Sequence, residues 1–294
     1  MLNKEKPVKL EVDNERCIRC SLCVKNCPAE YLKLDDNLIK VNEDNWLGCI
    51  QCGNCMMVCP KECISIYSEE VSPDDIISLG EESPDYHTVN SLFLKRRSTR
   101  KFVKQEIQKA MIDKIIEAAS TAPISIPPSE VKVIVINGFD KVQTFGDEIL
   151  ERLEKFAKIM NPFVLGLFRP LMGSVKYKMF KDFILPLVKN YSEARKMGED
   201  HIFYDAPAVM IFCGSELTDK EDPILAATHA YIAAESLGLG TCIIGAVPPA
   251  FNNKLKEKYG LAKDEKPVIA FILGYPESKF KKGIKRRFKA VNYF

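Results

Sequence analysis

Residues 17–28 read CIRCSLCVKNCP, and residues 49–60 read CIQCGNCMMVCP. Both stretches follow the pattern C-x2-C-x2-C-x3-C-P, and each cysteine of the second lies 32 residues after its counterpart in the first. This internal repeat indicates one small domain made of two similar halves. Nine of the eleven cysteines of the 294-residue chain fall between Cys17 and Cys63, which favours metal binding.

The cysteine spacing predicts how the thiolates divide between two iron–sulfur clusters. Three cysteines two residues apart can ligate three corners of one [4Fe–4S] cluster, while the fourth, which precedes proline, ligates the other cluster. We therefore expect crossed ligation, with one cluster on Cys17, Cys20, Cys23 and Cys59 and the other on Cys27, Cys49, Cys52 and Cys55. A pair of zinc sites is the alternative.

Residues 10–68 as a whole resemble bacterial-type two-cluster ferredoxins, a resemblance carried by the duplicated motif. It implies a domain that transfers single electrons. Cys63, which follows the second motif, is expected to be a small buried residue, and Trp46 is expected to pack inside the domain.

Charge separates the chain into two parts. Residues 1–90 carry 9 basic and 17 acidic side chains, whereas residues 91–294 carry 33 basic and 23 acidic ones. We predict a cluster domain at 1–68, an acidic linker at 69–90 with one short helix near 74–79, and a second domain at 91–294. No apolar run is long enough to span a membrane and no secretory signal is visible, so we expect a cytoplasmic protein with no membrane partner.

Hydrophobic periodicity in the second domain predicts helices at 107–119, 142–160 and 223–237. Apolar runs at 131–136, 208–212, 242–246 and 268–273 predict buried strands. This alternation, by itself, suggests a parallel sheet. Neither a dinucleotide-binding glycine fingerprint nor a P-loop is present.

Three patches of the second domain are candidates for ligand binding. Residues 95–102 read KRRSTRKF, which could clamp a phosphate or form a solvated or nucleic-acid-binding surface. Residues 238–245 read GLGTCIIG, where glycines permit positive φ and a close approach to a flat ligand. Residues 285–288 read KRRF, within a basic tail.

The order of these patches resembles the nitroreductase-like FMN flavoprotein family. The resemblance also includes Ala122-Pro123 after the first helix and Asp205-Ala-Pro207 before a strand, and it covers residues 90–294. It implies an α+β fold, with helices around a mostly antiparallel sheet, in an intertwined homodimer that binds FMN at the subunit interface. On that implication, the antiparallel sheet replaces the parallel one.

The same resemblance implies the FMN site. The phosphate and ribityl chain would be held by Arg96, Arg97, Ser98 and Arg100, with Arg286 or Arg287 added from the tail. Backbone groups of Ile244 and Gly245 would face the reactive edge of the flavin, and Pro123 and Ser125 would come from the partner subunit. Residues 124–129 read ISIPPS where many relatives have Asn-x-Gln-Pro, so Ser125 and Ser129 would act as substitute hydrogen-bond partners.

Residues 158–204 are long and apolar for a connector, and they predict either a lid over the flavin or additional dimer surface. No catalytic side chain is assigned, because a flavin supplies the chemistry and the protein positions it.

The predicted function is an iron–sulfur flavoprotein oxidoreductase. Electrons would pass from a low-potential donor such as reduced ferredoxin through two [4Fe–4S] clusters to FMN, and then to a nitroaromatic, a quinone or an activated C=C bond. Two alternatives stay open: an NAD(P)H-dependent FMN reductase that exports electrons through its clusters, and a non-catalytic electron carrier or redox sensor. Nucleic-acid binding through the basic tail is disfavoured, because few aromatic residues interleave the basic ones.

Overall fold

The structure is a computed structural model that describes residues 8–68, 70–81, 83–125, 129–216, 218 and 220–294. The chain divides into two units: one comprises the residues before Pro84 together with Ile124–Ser129, and the other comprises the rest of the chain. The division of the chain at 68/69 and 90/91 stays a prediction.

Among its described residues, the first unit contains two antiparallel strand pairs and two one-turn helices. Strand β1 (Lys9–Val12) pairs with β4 (Ile64–Tyr67), and β2 (Leu32–Asp35) pairs with β3 (Leu38–Val41). The tight β2–β3 turn is formed by Asp36 and Asn37, both at positive φ, as hairpin turns require. The helices α1 (Leu22–Lys25) and α2 (Asn54–Met57) each follow the second cysteine of a motif.

The segment predicted as a linker contains more structure than expected. A single 3₁₀ turn at Pro73–Asp75 replaces the predicted helix at 74–79, because a capping box at Ser72 and Asp75 closes the turn locally. Helix α3 (Tyr86–Lys95) already begins inside the predicted linker. Asp85 starts this helix by accepting a hydrogen bond from the Thr88 backbone N–H at 2.7 Å.

The second unit has helices on both faces of a four-stranded sheet. Its strands are β5 (Lys132–Asn137), β6 (Ala208–Gly214), β7 (Gly240–Ile243) and β8 (Lys266–Gly274), in the spatial order β5-β6-β8-β7, with every pair antiparallel. The longer helices are α4 (Lys109–Ser120), α5 (Phe139–Ile159), α6 (Pro162–Met179), α7 (Leu185–Lys196) and α8 (Glu221–Ser236). A π-helical turn (Phe180–Ile184) joins α6 to α7, and short helices α9 (Val247–Ala250) and α10 (Asn253–Lys258) precede β8.

The antiparallel sheet confirms the fold implied by the family resemblance and shows that the parallel sheet inferred from alternation is wrong. All seven residues of β6 are buried. Met210 and Phe212 face a core shared with α4 and α8, whereas Val209 and Ile211 face a core shared with α5 and α7. Because helices cover both faces, the strands are continuously apolar, a pattern more typical of parallel sheets.

The predicted long helices and three of the four predicted strands are present within a few residues of their expected bounds. The strand predicted at 242–246 is wrong in its second half, since β7 ends at Ile243. Helix α9 begins at Val247 and carries Pro248 and Pro249, so the chain must turn at residues 245–246.

Candidate functional site

The eight motif cysteines line two separate cavities in the first unit. Cys17, Cys20, Cys23 and Cys59 line one cavity, and Cys27, Cys49, Cys52 and Cys55 line the other. Each cavity therefore takes three cysteines from one motif and the last cysteine from the other. This grouping matches the crossed ligation that the spacing predicts.

The backbone around the cavities repeats as closely as the sequence does. Residues 32 positions apart share positive φ values: Arg19 and Gln51 both at 59°, Ser21 at 60° and Gly53 at 72°, Glu30 at 52° and Glu62 at 49°. Most of these residues are not glycine, and such conformations persist only where the surrounding structure imposes them. The two halves therefore curve around their cavities in the same way.

The last cysteine of each motif accepts a backbone hydrogen bond from the residue four positions later. Tyr31 N–H lies 3.2 Å from Cys27 Sγ, and Cys63 N–H lies 3.5 Å from Cys59 Sγ. Cys63 is buried, as expected, but its Sγ also lies 3.5 Å from Cys59 Sγ and borders the first cavity. Sequence reasoning missed this fifth thiol, although its place 32 residues after Tyr31 marks it as part of the repeat.

The thiols of the cavities differ in their acidity. Burial raises the pKa of Cys55 to about 12, and burial also raises the pKa values of Cys23 and Cys49. The pKa of Cys59 is lowered, because hydrogen bonds that include the Cys63 backbone N–H outweigh the effect of its burial. Since metal ligation needs thiolates, filling these cavities must release protons.

The thiols of each cavity are not gathered around a single point. Among the residues that the structure describes, no three His, Cys, Asp or Glu side chains come together as ligands of one ion. A structural zinc ion would draw four ligands to about 2.3 Å from one centre. The eight thiols instead divide into two sets of four, each around its own cavity.

Trp46 does not pack inside the first unit, so that expectation is wrong. The indole side chain is 80% exposed, whereas the neighbouring Asn45 is buried. Asn45 Oδ1 accepts a hydrogen bond from the Leu47 backbone N–H at 3.0 Å, so the amide rather than the indole fixes this turn.

In the second unit, the arginine-rich segment lies along the end of the sheet. Thr99 N–H donates to the Thr241 carbonyl at 2.9 Å, and Val103 N–H donates to the Tyr275 carbonyl at 2.8 Å. An isolated parallel bridge joins Ser98 to Thr241. The structure thus brings together the first two of the three patches that the sequence singles out.

Two glycines make this contact possible. A Cβ atom on Gly240 would lie 2.6 Å from Thr99 Oγ1, and one on Gly274 would lie 2.7 Å from the Phe102 ring. Gly240 therefore admits the chain's own segment rather than a flat ligand, which corrects the sequence interpretation. Gly238, at φ +79°, follows the end of α8 as expected.

The guanidinium groups of the segment are held by aromatic rings. Arg96 lies over the Tyr231 ring at 5.4 Å, and Arg100 lies over the Tyr204 ring at 5.7 Å. Within the described ranges, neither of these groups nor that of Arg97 has a carboxylate within 4 Å. Three cations that form no contact ion pair within the described ranges fit an anionic ligand such as a phosphate.

The turn after β7 is open to solvent. Gly245 is exposed, and a Cβ atom placed on it would meet no other heavy atom within 4 Å. The Ile244 N–H donates to the Ala270 carbonyl at 2.8 Å, so this N–H is already used within the protein. Gly245, rather than the Ile244 N–H, is the part of this pair that is open to a ligand.

The remaining predicted residues, Pro123, Ser125, Arg286 and Arg287, are exposed. Pro123 and Ser125 lie on the loop after α4, and positions 126–128 of the ISIPPS stretch lie outside the described residues. Arg286 and Arg287 lie in the irregular tail, and over the part of the chain described here no hydrogen bond or ion pair connects them to Arg96–Arg100. Their roles stay predictions.

A cavity of about 510 Å³ lies beside the Gly245 turn. Its walls come from α5, from residues 179–191 and from residues 245–250. Sequence reasoning predicted a lid or dimer surface at 158–204 but not this cavity, because the cavity forms only when these distant segments meet. Whether the segment acts as a lid stays a prediction.

Comparison with known proteins agrees with this architecture. The Nitroreductase family model matches residues 94–275, and a 4Fe-4S dicluster domain model matches residues 9–60. The chain belongs to the nitroreductase family. The predicted fusion of a ferredoxin-type domain to a nitroreductase-like domain is confirmed, and so is the prediction of an oxidoreductase.

The relatives fit the second unit. "FMN reductase [NAD(P)H]" of Bacillus subtilis (strain 168) is 30% identical over 200 residues, which cover 67% of this chain and 69% of that protein. A nitroreductase with bound FMN from Bacteroides fragilis has a TM-score of 0.52 and 17% identity, covering 70% of this chain and 98% of that one. An FMN-dependent nitroreductase from Clostridium difficile R20291 has a TM-score of 0.51 and 17% identity, covering 71% and 100%. The two solved structures support the fold.

None of the helices in the described part of the chain is both long enough and apolar enough to cross a membrane.

Proposed function

We propose that this member of the nitroreductase family is an FMN-dependent iron–sulfur oxidoreductase. Electrons enter from a low-potential donor such as reduced ferredoxin, through two [4Fe–4S] clusters, and leave from FMN to a small organic acceptor. The observation that carries the proposal is the grouping of eight cysteines around two cavities in a domain fused to the nitroreductase-like unit. Two clusters would be redundant if a nicotinamide alone delivered hydride to the flavin.

The cysteine cavities fit the clusters in donor type, number and grouping. Cys17, Cys20, Cys23 and Cys59 would hold one cluster, and Cys27, Cys49, Cys52 and Cys55 the other. The Tyr31 and Cys63 backbone N–H groups donate to ligand sulfurs, which stabilises thiolate charge at one corner of each site.

The second unit fits FMN through its unpaired guanidinium groups. Arg96, Arg97 and Arg100, with the Ser98 hydroxyl, would hold the phosphate and ribityl chain, and the exposed Gly245 turn would border the isoalloxazine. Pro123 and Ser125 of a second copy, together with Arg286 or Arg287, would complete the site in a homodimer. When bound, the clusters supply one-electron transfer and FMN supplies two-electron reduction of the acceptor.

A reversed flow, in which NAD(P)H reduces the flavin and the clusters export electrons, is the second candidate. It is favoured by the name of the Bacillus subtilis relative, an FMN reductase that uses NAD(P)H.

Anaerobic flavin bleaching separates the two directions of electron flow. Cluster-replete protein is mixed separately with reduced ferredoxin, NADH and NADPH, and the flavin absorbance is followed. We expect fast bleaching by ferredoxin, lost in Cys52→Ala because this change removes a ligand from one cavity. Fast bleaching by a nicotinamide that persists in the variant would establish the reversed flow. A protein that binds no flavin after reconstitution with FMN would contradict both candidates.

The phosphate site has its own test and a matched control. Arg100→Gln should weaken FMN binding by roughly ten- to a hundredfold, the usual cost of losing a hydrogen bond to a charged group. Arg169 is likewise an exposed arginine over a tyrosine ring, at 5.3 Å from Tyr177, but it lies on α6. Arg169→Gln should leave FMN affinity unchanged in a fluorescence titration, and equal losses in both variants would exclude a specific phosphate site.

A further inference from the structure

The cavity beside Gly245 is a formed site of about 510 Å³, a volume typical of pockets for drug-sized ligands. Half of its lining comes from residues 179–191, which include the π-helical turn between α6 and α7. Gly245 and Ala246 also belong to the lining, so the cavity borders the turn where we propose the flavin edge. A ligand here would lie against that edge.

The walls are apolar and partly aromatic. Phe156 and Phe180 meet with ring centroids 6.0 Å apart and a 47° tilt, and Phe183 adds a third ring. Aromatic walls favour a flat ring, because offset and edge contacts between rings add to the gain from burial. A polar or flexible ligand would find few partners here.

Among the residues that the structure describes, Arg152 is the one cation that lines this apolar cavity. Arg152 is half-buried, and in the described segments no carboxylate lies within 4 Å of its guanidinium group. Its neighbour Glu151 instead pairs with Lys155 on the outer face of α5. Tyr191 is the other polar side chain of the lining, and burial raises the pKa of its phenol, so it remains a neutral donor.

We infer that this cavity binds the electron acceptor, and that the acceptor is an apolar ring compound with one carboxylate or similar anionic group facing Arg152. The inference rests on the proposed function, because only the proposed flavin makes a molecule bound here an acceptor.

Ligand affinities of the FMN-loaded, cluster-replete protein test the inference by isothermal titration calorimetry. The probes are 2-naphthoate, its neutral analogue 2-naphthamide, and octanoate, which has the carboxylate without the ring. We expect 2-naphthoate to bind about tenfold more tightly than 2-naphthamide, as a charge-assisted hydrogen bond gives. Octanoate should bind more weakly than 2-naphthoate, and equal affinity would overturn the assignment of a ring.

Two variants test which residues contact the carboxylate and the ring of the ligand. Arg152→Gln should abolish the preference for the carboxylate, and Phe183→Ala should weaken both naphthyl ligands by about fivefold through lost ring contact. Phe168→Ala is the matched control, since this exposed phenylalanine lies on α6 outside the cavity. A preference that survives Arg152→Gln, or equal effects of the two phenylalanine variants, would overturn the inference.

Flavin content and ferredoxin-driven bleaching are measured on the same samples. Normal flavin chemistry without a preference for the anionic ligand would overturn this inference alone. Failure to bind FMN would overturn the proposed function, and the inference with it.

Discussion

Pairs of cysteine variants can test whether the two clusters are held by crossed ligation. The structure places Cys27 in one cavity with Cys49, although Cys27 belongs to the same sequence motif as Cys17. The double variant Cys27→Ala/Cys49→Ala therefore damages one cavity only. The double variant Cys27→Ala/Cys17→Ala damages both. Ligation confined to each motif would reverse these outcomes.

The expected iron content follows from the number of cysteines that line each cavity. Four cysteines line each cavity, so the intact chain should bind about eight irons as two cubane clusters. Cys27→Ala/Cys49→Ala should retain about four irons, whereas Cys27→Ala/Cys17→Ala should retain almost none. Iron is assayed by chelation after anaerobic reconstitution, together with visible absorbance. Cys242→Ala is the control, because this buried cysteine lies on β7 in the second unit.

The double variants do not include Cys59, because we expect Cys63 to replace it as a ligand. The Cys63 thiol lies 3.5 Å from Cys59 Sγ and borders the same cavity, whereas the first half of the repeat has Tyr31 at that position. Cys59→Ala alone should therefore keep more iron than Cys27→Ala alone. Equal iron loss in the two double variants would refute crossed ligation by two independent cavities.

Two further predictions concern the second unit. Gly240→Ala should lower the free energy of unfolding by about 1–3 kcal/mol, because its Cβ would lie 2.6 Å from Thr99 Oγ1. Gly166→Ala, in an open part of α6, is the control and should be neutral or slightly stabilising in urea denaturation; equal losses would contradict the packing role of Gly240. Glu265→Gln should cost about 1–2 kcal/mol at pH 7, because Glu265 accepts a hydrogen bond from Lys132 Nζ at 2.7 Å. Burial raises the pKa of Glu265, but the hydrogen bond from Lys132 and a second one from a backbone N–H outweigh it and hold the pKa below its usual 4.5. The stability that the ionised carboxylate of Glu265 adds is therefore fully present above pH 4.5. The difference from wild type should disappear as the pH falls through the lowered pKa, and a constant difference between pH 7 and pH 3 would contradict this account.

Short-range features of the sequence determined much of the protein. The cysteine spacing predicted the crossed grouping around two cavities, because three cysteines two residues apart leave little conformational choice and the duplicated motif supplies the fourth. Apolar periodicity predicted the long helices, since a helix face is set by residues three and four apart. The order of the arginine, glycine and basic patches was enough to indicate the family, and the family model bears this out.

Other features were decided only by tertiary structure, because they depend on residues far apart in the chain. Strand direction could not be read from apolar runs, since β6 is covered by helices on both faces. The need for glycine at position 240 comes from Thr99, and the cavity beside Gly245 forms only where α5 and residues 179–191 meet that turn. Local sequence encodes the helices, the strands and the cysteine motifs, whereas the fold places distant side chains at the contact distances on which packing and binding depend.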